Sequence, residues 1–351
     1  MTLKENIMNV SELFSLTQWI NKEIERAQIP QKYHNLQSVL QNNCQPNRNF
    51  QPFETQKNDL INFLNAVPLN QLTRDQIALL EQLGIAQAIG EKGIATIEDI
   101  LYKNVLDIAT AAQKISQMLS NMQNGISKSN QIKSGLTGVI KEEEYEVEDE
   151  ILMRVSFIGN AQMTNVTDFK KWGGIWYDIG RGIAMAHNSS PENIKIVGAT
   201  KGSIVIELAV IASIATTASQ IILAAFKVAE KIIEIKQKLE ELKALKIGNE
   251  ILEHLKAEIE KQKSEGIEEI TESTIKELKL DKNSEGDKIK ALDTSIKNLV
   301  NFTENGGIVD FIVPENVKNS QEGGEQNNLI SNSQQIRQLQ NKLLLIEHKK
   351  S

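Results

Sequence analysis

Hydrophobic residues recur every three or four positions through most of this chain, the spacing that lines one face of an α-helix. Leu13, Leu16, Ile20, Ile24 and Ala27 predict a first helix over about 10–29, with Ser11 as a candidate N-cap and Pro30 as its stop. A shorter helix is expected around Tyr33, Leu36 and Leu40. The stretch CQPNRNFQPF, residues 44–53, breaks the period with two prolines and several amides, and predicts a loop. Helical spacing resumes from Glu54 to Val67 and ends at Pro68. Thr73 and Gln76 then form a T-x-x-Q capping box, opening a helix over 75–83 that ends at Gly84. Ile97, Ile100, Leu101, Ile108, Ala112, Ile115, Leu119 and Met122 predict one further helix over 96–122. Residues 1–140 are therefore expected to form a helical domain.

The period changes next. KEEEYEVEDE, residues 141–150, reads either as a solvated acidic linker or as the start of a long strand. Tyr145, Val147, Ile151, Met153, Val155 and Phe157 all fall on odd positions, the period of a strand. Ile151–Ile158 is expected to be strand in either case, with Arg154 and Ser156 on the opposite face. Residues 169–187 return to a helical face of Phe169, Trp172, Trp176, Ile179, Ile183 and Ala186. Asn165 or Thr167 could cap its start, and Asn188 with Pro191 could close it. Gly173, Gly174, Gly180 and Gly182 interrupt this helix. Each costs roughly 1 kcal/mol relative to alanine, so Gly173 and Gly180, seven residues apart, are expected to meet another backbone closely. Residues 193–208, NIKIVGATKGSIVIEL, read as a β-hairpin turning at Lys201-Gly202. Ile194 and Ile196 alternate in its first strand, and Ile204, Ile206 and Leu208 share one face of its second. Residues 141–208 thus form an expected β-α-β-β module covered on one side by helix.

A long helix is expected over 209–247. Its seam, including Ile221, Val228, Ile232, Ile235 and Leu239, repeats at steps of three and four like a coiled coil. Leu208–Phe226 is nineteen residues without a charge, close to the ~20 needed to span a bilayer. Ser213, Thr216, Thr217 and Gln220 nevertheless form a candidate polar stripe that continues as Lys227, Lys231, Glu234 and Lys238. One reading is a soluble amphipathic helix packed on the sheet or a neighbour. The other is an oligomer whose stripe lines a channel, with Ala209, Ala212, Ala215 and Ala218 permitting close packing. A second helical stretch over 249–280, broken near Gly266, completes a long helix or helical hairpin over 209–280. Residues 281–314 supply a helix and a strand, Ile308–Val313, that could join the sheet. Residues 315–351 read as a polar linker, 315–333, and a C-terminal helix presenting Ile336, Leu339, Leu343 and Ile346. The expected class is α+β, predominantly helical.

Composition narrows the function. Six prolines in 351 residues favour long helices. The net charge of −7, with lysines interleaved among glutamates, leaves no electrostatic footprint for nucleic acid. Cys44 is the sole cysteine, which excludes an internal disulfide or a cysteine zinc site and suits a reducing cytoplasm. The opening MTLKENIMNVSELF lacks the apolar core of a signal peptide. The Asn, Gln, Ile and Lys usage suggests an A+T-rich bacterial genome. There is no P-loop: ATKGS at 199–203 lacks the first glycine and the spacing. The histidines 34, 187, 254 and 348 are scattered, so no metal site is expected. Tyr177, Asp178, Arg181 and His187 are the one polar group that could make a binding site, although Asp178 and Arg181 also read as an ordinary i, i+3 pair. No catalytic residue and no cofactor is assigned.

The hairpin KGSIVIEL after a strand-helix unit resembles the effector-associated adaptor modules of bacterial conflict systems, in which a Gly-Ser turn opens the last strand. The resemblance covers residues 150–208 and implies self-association or coupling to a partner, without catalytic residues. The attached long helix departs from a free-standing adaptor. The leading expectation is a non-enzymatic oligomeric interaction or scaffold protein, cytoplasmic and possessing partner helices or a second copy as its ligand. The alternatives are a membrane-associated or pore-forming effector using 208–226, and an enzyme of unrecognised type.

Overall fold

The computed structural model describes residues 8–45, 49–104, 107–140, 150–200, 204–245, 249–313 and 323–348. The chain divides into two units, Met1–Tyr145 and Glu146–Ser351.

Caps and chain-breakers set the helices of the first unit. The Asn9 side chain accepts the Glu12 N–H at 2.7 Å, and Glu12 Oε2 accepts the Asn9 N–H at 3.0 Å. This capping box starts α1, Val10–Ile20, two residues ahead of the expected cap Ser11. The helix does not continue to residue 29. A π-helical turn, Asn21–Arg26, follows, and Gln28 adopts a left-handed conformation with φ of 60°. Pro30 then lies in the first turn of α2, Ile29–Asn43. A missing N–H is harmless there, so this proline starts a helix instead of stopping one. The third helix, α3, spans Glu54–Ala66, and α4 spans Arg74–Gln82. The expected capping box of α4 is present, with Gln76 N–H to Thr73 Oγ1 at 3.2 Å and Thr73 N–H to Gln76 Oε1 at 2.9 Å. The helix expected over 96–122 is two helices, α5, Gly90–Lys103, and α6, Ile108–Leu136. Asp107 caps the second by accepting the Thr110 N–H at 3.0 Å. The apolar positions on either side of this break fit one continuous period, which hides it in the sequence. Leu16, Ile20, Tyr33, Leu36, Leu60, Leu80, Ile97, Ile115 and Met122 join in one core. The buried Tyr33 hydroxyl donates to Ala88 O at 2.9 Å, and burial raises its pKa.

The second unit is built on a sheet of β1, Glu150–Ser156, β2, Lys195–Thr200, β3, Val205–Ile211, and β4, Ile308–Ile312. The order is β2-β3-β1-β4, with each neighbouring pair antiparallel. Between β1 and β2 runs α7, Val166–Ala186, capped by Asn165. After β3 come α8, Ala212–Ala244, α9, Asn249–Glu277, and α10, Gly286–Glu304; α11, Gly323–His348, follows β4. The fold is α+β and predominantly helical. Several boundaries differ from the sequence reading. β3 continues through Ala209, Val210 and Ile211, which pair with Leu152, Ile151 and Glu150, so α8 begins at 212 rather than 209. An uncharged Ala-Val-Ile run fits both periods, and pairing with β1 decides it. α9 runs unbroken through Gly266, whose missing side chain leaves room for Val228 of α8. α11 begins inside the stretch read as polar linker. Tyr145, Val147, Lys201 and Gly202 lie outside the described residues.

Ile151, Met153, Val155 and Phe157 form one face of β1 and join Val210, Val309 and Phe311 in a core shared with α7, α8 and α10. The other face is also largely buried. The strand register sets Arg154 between Glu207 and Asp310. Arg154 and Asp310 are 3% and 4% exposed. Arg337 of α11 makes a bidentate pair with Asp310, Nε to Oδ1 at 2.6 Å and Nη2 to Oδ2 at 3.0 Å. From the same helix, Gln340 Nε2 donates to Val309 O at 2.7 Å and Ser333 Oγ to Phe311 O at 3.4 Å. Side chains of α11 therefore take up acceptors along the outer edge of β4, which would otherwise template another strand. The opposite edge, β2, carries Lys195 and a bulge between Ile196 and Gly198, two features that discourage strand pairing. Ile196 is exposed there.

Candidate functional site

The glycine-rich helix α7 and its C-cap carry Tyr177, Asp178, Arg181 and His187, and the two faces of the helix behave differently. Trp172 and Trp176 are buried as expected, packed edge-on against Phe302 of α10 with ring centroids 5.6 and 5.2 Å apart. Phe157 completes the cluster at 5.4 Å from Phe302. Offset and perpendicular arrangements of this kind suit the ring quadrupoles. The tryptophans are core. Phe169, placed by its spacing on the same face, is 56% exposed.

The expectation for Gly173 and Gly180 requires correction. A Cβ on Gly173 or Gly174 would meet nothing within 4 Å, and one on Gly180 would meet only the Ile194 side chain at 3.3 Å. The close backbone approach is at Gly182, where a Cβ would lie 2.4 Å from Ala291 O and 2.6 Å from Ser295 Cβ. Ser295 Oγ donates to Ile179 O at 2.8 Å across the same contact. Gly182 borders the Trp172–Ile179 side of the helix, whereas Gly173 lies on the far flank. Sequence spacing alone shows the glycines without showing which flank α10 covers.

The polar stripe of α8 is used within the chain. Thr217 Oγ1 lies 2.8 Å from His187 Nε2 at the end of α7. Gln220 Nε2 donates to Glu277 Oε1 of α9 at 2.8 Å. Thr216 Oγ1 bonds back to Ala212 O at 2.9 Å, and Ser213 is half-buried. Ser219, absent from the predicted stripe, is fully buried, donates to Thr216 O and accepts from Asn332 Nδ2 of α11. Ser219 lies between Ala218 and Gln220, off the line through Ser213, Thr216, Thr217 and Gln220, so only the position of α11 reveals its role.

His187 is partly buried, and desolvation lowers its pKa below 6.5 although Glu277 opposes the shift. The folded state therefore favours the neutral ring. Its contribution to stability is complete above the unfolded pKa and is lost as pH falls through the folded one. Urea denaturation is expected to show the unfolding free energy rising with pH up to about 6.5, and His187→Gln is expected to flatten that rise. An unchanged slope in the variant would remove His187 from the account.

The seam of α8 is likewise enclosed. Ile221, Val228, Ile232 and Leu239 are buried and Ile235 is half-buried, against a core that includes Ile259, Ile267 and Ile270 of α9, Leu299 and Val300 of α10, and Leu329, Ile336 and Leu343 of α11. Glu304 ties three helices together, accepting from Lys236 at 2.5 Å and Lys263 at 2.7 Å. Burial alone would raise this carboxyl, but hydrogen bonds from the two lysines outweigh it and hold the pKa below the usual value. Of the two partners open to this strip, the 249–280 helix folding back or another subunit, α9 covers it within the chain, with α10 and α11 beside it.

Tyr177, Asp178, Arg181 and His187 do not converge. His187 turns to α8, Tyr177 is 59% exposed, and no Asp178–Arg181 ion pair forms among the described residues. No group of three metal-ligating side chains is found among the described residues. No protein-family model matches the chain, and neither a curated protein nor a solved structure does so.

Proposed function

We propose that this chain is a non-enzymatic, self-associating interaction protein of the cytoplasm. The reading rests on one observation: the outer side of α7 and the neighbouring edge strand leave large apolar side chains in solvent. Val166, Phe169 and Tyr177 of α7 are 83%, 56% and 59% exposed, and Ile196 of β2 is 69% exposed. Single exposed apolar residues are ordinary, whereas a set gathered on one element marks a contact surface. The polar groups that could have served chemistry, from His187 and Thr217 to Asp310 and Arg337, are instead committed to joining helices and strands. The adaptor resemblance of residues 150–208 favours the same reading, with coupling to a partner in a bacterial conflict or signalling system as its setting.

Sedimentation equilibrium of the full chain at tens of micromolar is expected to give a concentration-dependent mass above 39.2 kDa. A constant monomer mass would contradict self-association. A membrane-acting effector is the second reading, favoured by α8 being long and apolar enough to cross a bilayer. Most of that apolar window is buried against the rest of the unit, so insertion would first require unpacking α7 and α9–α11 from it.

A further inference from the structure

We infer that the outer face of α7 is a two-fold interface with a second copy of this chain, the helices crossing antiparallel at Gly174. The inference rests on the self-association reading and deepens it by assigning the surface.

Successive residues of a helix are rotated by about 100°, which puts Val166, Lys170, Gly173, Gly174, Tyr177 and Arg181 on one side of α7. Lys170, Gly174, Tyr177 and Arg181 are exposed, and Gly173 is partly so. Glycine in a helix interior is unfavourable unless its small size is used. Gly182 uses it against α10, but Gly173 and Gly174 face open space inside this chain. A backbone arriving from outside is the simplest user of that notch. Phe169 and Tyr177 flank it and supply apolar contact. The start of β2 lies beside this helix, since a Cβ on Gly180 would stand 3.3 Å from the Ile194 side chain, and Ile196 two residues on is exposed.

The charges select the occupant. Lys170 and Asp178 stand four residues before and four after Gly174. Neither has an ion-pair partner among the described residues. A two-fold axis through Gly174 brings Lys170 of each copy to Asp178 of the other, giving two identical ion pairs. Such a contact is isologous and closes at a dimer. It also places the Tyr177 ring of each copy beside the 170–174 turn of the other, where the missing glycine side chains make room. An anionic lipid surface would match Lys170, Lys171 and Arg181, but it would gain nothing from the glycine notch and would be repelled by Asp178.

The test is light scattering on the full chain at tens of micromolar, with Lys170→Asp, Asp178→Lys, the double reversal, and Gly174→Leu. The wild type is expected to be a dimer. Each single reversal is expected to weaken it by roughly tenfold or more, since like charges then meet twice. The double reversal is expected to restore dimerisation, a rescue that general damage to the fold would not produce. Gly174→Leu is expected to be monomeric with an unchanged melting curve, because nothing in its own chain lies within 4 Å. A dimer unaffected by all four variants would overturn this interface and leave self-association standing. A monomeric wild type would overturn both, as would a monomer that binds phosphatidylserine vesicles through the same lysines.

Discussion

Trp172→Ala is expected to lower the stability of the second unit by roughly 3–5 kcal/mol, the range for truncating a large aromatic side chain in a core. Trp172 is 2% exposed and stands between β1's continuation at Phe157 and α10's Phe302, with centroid distances of 6.5 and 5.6 Å. Its indole is therefore part of the joint between sheet and helices, and the neighbours are aromatic rings too rigid to collapse into the void. Chemical denaturation followed by circular dichroism measures the loss directly. A midpoint indistinguishable from wild type would show that the indole is not packed in this way.

Gly182→Leu is expected to have the largest effect of any substitution on α7. A Cβ at this position falls 2.4 Å from a backbone oxygen and 2.6 Å from a Cβ of α10, neither of which is the far end of a flexible side chain. The two helices would have to separate, opening the contact that includes the Ser295–Ile179 hydrogen bond and the aromatic cluster behind it. Overpacking usually costs about 1–3 kcal/mol; displacement of a whole helix exceeds that, and loss of the cooperative thermal transition is the expected outcome. Leucine at Gly174, on the exposed side of the same helix, serves as the control for helix propensity and is expected to keep the transition. Equal tolerance of leucine at both sites would contradict the packing of α7 against α10.

Much of this architecture was legible because each element carries a single clear period. The Trp172–Ala186 stripe, the odd-numbered apolar residues of β1, and the Thr73–Gln76 capping box all reappear as structure. Misreadings came where one pattern serves two conformations. Ala209–Ile211 suits strand or helix until β1 pairs with it, and Pro30 suits the end of one helix or the start of the next. The π-helical turn after Ile20 has no signature in the spacing of Ile20, Ile24 and Ala27.

The candidate site was harder to read because it depends on which helix covers which flank. An apolar seam specifies that something must be buried against it, not whether the partner is α9 or another molecule. The position of the α8 polar stripe is legible from its spacing, but its partners are not: His187 and Glu277 stand opposite Thr217 and Gln220, and Asn332 opposite Ser219 outside the stripe. The spacing of Gly173 and Gly180 predicts a close backbone approach that the chain itself provides at neither. That mismatch, together with exposed Phe169 and Tyr177, is what directs attention to a contact between molecules.

The central claim is self-association through protein contacts rather than action on a bilayer. Size-exclusion chromatography with light scattering, run on the full chain with and without phosphatidylserine vesicles, separates the two. The account predicts a mass twice the 39.2 kDa of one chain in buffer alone, unchanged by lipid. A 39.2 kDa species in buffer that moves to the void volume only when vesicles are added would contradict it.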